Sequence, residues 1–272
     1  MLNRIVHLVV LIALVASATA QKERQKPASD AELAGITERG RALAAYDVAA
    51  WHATDAFVAA TSPQDRQRVR YFIARKNGSA WEVVFGDFNQ ARDRFSILYE
   101  AQQGSSPTDF TLKSYEQPKD VSGFYLLAAK ALELTRSDFQ HESRPYNFAV
   151  LPADAGQLYV YSYPAQTDAK IWPLGGDVRY LISSDASAIV ERRRMHSSII
   201  EFSKPPQMEK VDNDLHTAVL DEVPEDSDVF FTMSRQPAVN HFVISKHFVY
   251  LLYPDGKAIY LMTVEAFKKL PR

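Results

Sequence analysis

Residues Val69–Phe85 read VRYFIAR-KNGS-AWEVVF. Two runs rich in β-branched and aromatic residues flank Asn77-Gly78, the dipeptide that most readily adopts the positive φ angles of a tight hairpin. A third run, Arg94–Ala101 (RFSILYEA), extends the hairpin into a three-stranded meander. The polar stretch Gln102–Thr108 (QQGSSPT) then reads as a loop.

Upstream, Ser29 and Glu32 form an S-x-x-E capping box, which satisfies orphan amides at a helix start. Ile36, Ala44, Val48, Trp51 and Val58 recur at near-helical spacing, Gly40 softens the middle, and Ser62-Pro63 marks the end. Downstream, Val121–Leu134 is nearly all apolar and reads as a helix buried on most faces. Beyond Tyr146 the chain is mostly β: 146–151, 158–163, 178–182, 188–193, 197–202, 239–245, 247–253 and 258–262 are expected strands. Ser184-Asp185 and Pro254-Asp255-Gly256-Lys257 supply turns, 204–214 a polar loop, and Thr263 a cap for a last short helix.

These readings define an α+β fold: a long N-terminal helix with a small antiparallel meander over 29–110, then a buried helix packed on a larger, mainly antiparallel sheet over 119–272. The two regions can share one core.

Residues 1–20 form a separate unit. Met1–Arg4 is a short basic start, Ile5–Ala16 is apolar but for His7, and Ser17–Ala20 offers small residues at the cleavage positions. This is the pattern of a secretory signal peptide, with Gln21 as the expected mature N-terminus and 21–28 as a flexible leader. The apolar run is shorter than the roughly 20 residues that span a bilayer, and no later segment approaches that length. The expected location is therefore the periplasm or the medium. No Cys is present, which excludes disulfides, thiolate metal sites and Cys nucleophiles. With 46% hydrophobic residues, 15 Phe and 13 Tyr, the chain can be stabilised by its core alone. A net charge of −2 argues against a general nucleic-acid binder.

Catalytic signatures are absent: no nucleophile elbow, no phosphate-binding loop, no dinucleotide fingerprint, no compact zinc-binding His pair. The six His beyond residue 20 are expected to be surface or half-buried imidazoles, and Gly175-Gly176 a turn. Glu191–Arg194 places Arg192 and Arg194 on one face of a strand, a candidate anion site.

One stretch carries more. His216-Thr217-Ala218 precedes an acidic, Pro-containing segment to Asp228; Asn240–Ser245 and His247–Tyr250 follow, then Tyr253-Pro254-Asp255-Gly256-Lys257. Over 216–261 this order resembles the back half of a JAB/MPN metalloprotease-like domain. The resemblance implies a zinc ion held by two His and an Asp, with a Glu activating bound water. His216 matches the first His, but Ala218 stands at the second. Asp226 and Val229 fall at the family's Ser and Asp positions, and only a shift in alignment brings Ser227 and Asp228 near them. A metal site on this pattern uses His216 with Asp226 or Asp228 and needs a further ligand. The leading expectation is a non-enzymatic, cofactor-free binding or interaction protein of the bacterial envelope, with a protein or small molecule as partner. The alternative is a divergent zinc-dependent hydrolase.

Overall fold

The computed structural model describes residues 24, 26–140, 143–203 and 213–270. The expected signal peptide lies outside them, as do all but Arg24 and 26–28 of the leader and most of the polar loop over 204–214. The fold is α+β.

Helix α1 spans Asp30–Ala60 and opens on the capping box, with Ser29 and Glu32 each bonding the other's backbone amide. Its buried stripe is Leu33, Ile36, Leu43, Tyr46, Ala50, Ala53 and Phe57, at the i, i+3, i+4, i+7 recurrence of one helix face. Val48, Trp51 and Val58, expected in that stripe, are exposed instead. Gly40 does not soften the helix; it marks a close crossing, described below. A single turn, α2 (Pro63–Arg66), follows.

The meander has four strands: β1 (Tyr71–Asn77), β2 (Ala80–Phe88), β3 (Phe95–Gln103) and β4 (Phe110–Val121), all antiparallel in sequence order. Gly78 turns the first hairpin at φ 63°. The fourth strand corrects the expected three. It is a polar edge strand, mostly exposed and carrying Pro118, so it shows neither alternation nor a β-rich composition. Helix α3 (Phe124–Asp138) starts after Gly123, three residues later than expected, because Val121 still pairs with Phe95.

A second antiparallel sheet follows, in the order β5-β6-β8-β9 (Tyr146–Pro152, Leu158–Pro164, Val178–Ile182, Ile189–Arg194). Strand β7 (Ile171–Gly175) leaves it to pair with β10 (Ile199–Ser203) as a two-stranded ribbon. Along β1, Tyr71 and Ile73 face a core shared with α3, whereas Phe72 and Ala74 face one shared with α1. Along β6, Leu158 and Val160 alternate in the same way with Tyr159 and Tyr161. These strands are therefore covered on both faces, which is why they read as apolar runs, whereas the edge strands β4 and β9 are polar and largely exposed.

The last sheet is β11 (Asn213–Thr217), β12 (Asn240–Ile244), β13 (Phe248–Leu252) and β14 (Ala258–Thr263), with β11 parallel to β12 and the other pairs antiparallel. Helix α4 (Asp226–Ser234) sits between β11 and β12 in sequence, and α5 (Val264–Phe267) ends the described chain behind its Thr263 cap. A third core joins Leu33 and Ile36 of α1, Val229 of α4 and Val243, Tyr250 and Leu252 of this sheet.

Helices α1 and α4 meet at Gly40. A Cβ there would lie 2.4 Å from Val229 Cβ and 2.6 Å from the Asp226 carbonyl. Gly40→Ala should therefore cost about 1–3 kcal/mol by overpacking. Gly35→Ala, on the same helix, meets only the Arg39 guanidinium at 3.3 Å, which has to give by a few tenths of an ångström, and should cost less than Gly40→Ala. Urea unfolding of both variants tests the crossing; equal behaviour would refute it.

Candidate functional site

The N-terminus of α4 carries three successive polar residues, Asp226, Ser227 and Asp228, all buried. An acidic first turn complements the helix dipole. The Asp228 carboxylate takes the amide of Glu225 at 2.8 Å, while the Asp228 amide donates to the Glu225 carbonyl at 3.1 Å. In sequence this segment reads as a polar loop. What makes it helical and buried is the set of partners that the rest of the fold brings to it.

Asp226 faces one way. Its carboxylate accepts Arg39 Nε of α1 at 3.0 Å, Arg179 Nη1 of β8 at 2.6 Å and the Tyr161 hydroxyl of β6 at 2.9 Å. A carboxylate paired with two guanidiniums and a phenol is a satisfied structural group, so Asp226 is not available as a metal ligand here.

Asp228 faces the other way, into a cluster of imidazoles. His196, just after β9, lies between two carboxylates: Nδ1 is 2.8 Å from Asp177 Oδ1 and Nε2 is 3.0 Å from Asp228 Oδ1. His216 of β11 points its Nε2 at the same Asp228 oxygen, 3.5 Å away, and its Nδ1 lies 2.8 Å from His241 Nε2 on β12. Parallel pairing of β11 and β12 sets the last contact, and the two rings stack with centroids 5.0 Å apart. Phe202 and Phe231 close over His241 at 5.7 and 5.2 Å.

Burial and charge oppose each other at this cluster. Burial would lower the pKa of His196, yet Asp177 and Asp228 hold it well above the usual imidazole range. Burial would raise Asp228, yet His216, His196 and the Glu225 amide keep it below the usual carboxylate range. His216 is pushed down by burial, and His241 down to about 3 by burial and by His216 beside it. Glu225, whose carboxylate accepts two hydrogen bonds from Arg193, is pushed up to about 8 by burial.

His196 Nε2, His216 Nε2 and an Asp228 oxygen lie within 4.8 Å of one another, a spacing compatible with one metal ion. Asp177 Oδ2, His216 Nε2 and His241 Nδ1 are buried without a hydrogen-bond partner. Imidazole and carboxylate suit zinc, and the second ring nitrogen of each His has an orienting partner, Asp177 or His241.

Of the residues singled out in the sequence, His216 and Asp228 are brought together, while Asp226 is turned away. Three His expected at or near the surface, His196, His216 and His241, are buried. His247 lies elsewhere, 2.9 Å from Glu222. Arg192 and Arg194 are exposed on β9, but Arg192 pairs with Asp138 and Arg194 caps the carbonyls of His196 and Ser197. It is Arg193, between them, that turns to the carboxylates of Glu225 and Asp221. His196, Asp177 and His241 were missed as site residues. No short spacing joins them to His216, so only the tertiary fold reveals the set. No family model, curated protein or solved structure matches the chain.

The Asp226 cluster holds α4 in register with the imidazoles. Asp226→Ala leaves two guanidiniums facing each other and should cost about 3–5 kcal/mol. Asp226→Asn, which keeps an acceptor for Tyr161, should cost less. Chemical denaturation distinguishes them, and a loss below about 1 kcal/mol for the alanine variant would show that the cluster does not anchor the helix.

Proposed function

We propose that the protein is an exported, non-enzymatic binding protein of the bacterial envelope that holds one divalent transition metal, zinc by ligand type, between His196, His216 and Asp228. The observation that carries this reading is the convergence of three buried donor atoms within 4.8 Å. Export rests on the signal-peptide pattern of residues 1–20. The donors are buried, with His216 3% exposed, His196 7% and Asp228 0%. Three protein donors leave one position of a tetrahedral zinc to water, and burial of all three restricts what can reach it, which favours holding over turnover.

The test is elemental analysis of the purified protein after dialysis against zinc, beside His216→Ala and Asp228→Ala. About one equivalent in the wild type, lost in both variants, is expected. Wild-type protein that retains no zinc, nor cobalt offered in its place, would sink the proposal. Thermal unfolding provides a second readout: chelation should lower the Tm of the wild type and leave that of the variants unmoved.

A divergent hydrolase is the second reading. His216 and Asp228, the pair picked out by the resemblance to JAB/MPN domains, come together, and Glu225 is a nearby carboxyl with a raised pKa. Both Glu225 oxygens are engaged by Arg193, however, so the base is not free. Zinc-dependent cleavage of peptide or isopeptide substrates, abolished by Glu225→Gln with zinc still bound, would favour this reading over the first.

A further inference from the structure

A cavity of about 450 Å³ opens beside α1, away from the imidazole cluster and sharing no residue with it. Tyr46, Asp47 and Trp51 line it from α1, Phe72 from β1, Phe148 from β5 and Tyr163 from β6. Its volume falls in the range of small-molecule sites, and its aromatic rings share the wall with alanines and with the polar side chains of Thr54, Asn147, Gln166 and Thr167.

The unusual member is Asp47. Its carboxylate accepts one hydrogen bond, from the Tyr163 hydroxyl at 2.6 Å. Among the described residues no Lys, Arg or His lines the cavity. No ion pair of Asp47 occurs among the described residues. Burial pushes the carboxyl's pKa up, although Tyr163 lowers it. The chain shows elsewhere what a structural buried carboxylate looks like: Asp226 has two guanidiniums and a phenol. Asp47, half-buried in the cavity wall, has only the phenol.

Trp51 adds an independent sign. It is 61% exposed, the largest apolar side chain left open on α1, and it forms part of the cavity wall with its ring stacked on His52. An indole at the mouth of a cavity with a carboxylate inside is the arrangement that attracts cations, because the π faces of aromatic rings carry negative potential.

We propose that this cavity binds a small alkylammonium ligand, with Asp47 as its counter-ion and Trp51 and the neighbouring rings around its alkylated head. The ligand provides the charge that the protein does not place beside Asp47. A neutral ligand of the same shape leaves the carboxylate uncompensated and binds weakly.

Choline and n-butylammonium are suitable probes, followed by Trp fluorescence and calorimetry on the purified protein. The neutral isostere of choline, 3,3-dimethylbutan-1-ol, is the control. Saturable binding of at least one cation is expected, with the isostere weaker by about tenfold or more. Asp47→Asn should weaken cation binding by a similar factor, and Trp51→Ala by several-fold. The second variant alters an exposed residue and keeps the test decisive if the first fails to fold. Absence of binding by both cations, or equal binding of the isostere, overturns the proposal. Cation binding unchanged in a folded Asp47→Asn or in Trp51→Ala does so as well.

Discussion

Four elements distant in sequence meet at one carboxylate. Asp226 of α4 receives Arg39 from the long helix, Arg179 from the second sheet and Tyr161 from the strand beside it. Burying an isolated carboxylate costs many kcal/mol, and only a geometry that satisfies every lone pair offsets that cost. Hence α1, β6 and β8 cannot shift independently of α4. The Gly40 crossing adds a steric constraint to the electrostatic one, since α4 backbone lies where a side chain would otherwise be. Two residues further on, Asp228 inherits its position from this arrangement. The imidazole cluster is accordingly a consequence of how α4 is clamped.

The same helix end presents two carboxylates to opposite environments. One side meets guanidiniums, whose charge does not depend on pH in any relevant range. The other meets imidazoles, whose protonation does. Permanent cations make a good anchor because they fix geometry under all conditions. Imidazoles make a poorer anchor, and they can ligate a metal only after losing a proton, which His196 between its two carboxylates resists. That division between Asp226 and Asp228 separates permanently charged partners from titratable ones within a single helical turn.

How much of this was legible follows from where the information resides. The Ser29 cap, the hairpin marked by Asn77-Gly78 and the apolar helix before Arg136 are local signals; the cap occurs as read, while the hairpin turns on Gly78-Ser79 with Asn77 paired to Ala80, and the helix starts three residues late. The polar edge strand β4 and the ribbon strand β7, with Pro173 inside it, lack the alternation by which strands are recognised. The stripe of α1 was misassigned at Val48, Trp51 and Val58 because several phases of an Ala-rich helix look equally apolar; tertiary contact selects the phase containing Tyr46 and Phe57. His216 and Asp228 were singled out through a resemblance. His196, Asp177 and His241 escaped because β9, β11 and β12 bring them together only after folding. Nothing in a one-dimensional spacing encodes that approach.

With no disulfide available, this fold uses buried polar contacts as well as apolar cores to fix its parts. That makes the degree of satisfaction of each buried polar group informative. Within one chain, Asp226 defines the structural standard: charge matched and hydrogen bonds complete. Asp177, His216 and His241 fall short of it, each with a buried polar atom that meets no partner. Asp47 falls short in another way, with a hydrogen bond but no counter-charge. The two shortfalls differ in kind. Lone-pair donors clustered around a carboxylate call for a compact Lewis acid, whereas a single carboxylate among aromatic rings calls for a diffuse, weakly hydrated cation.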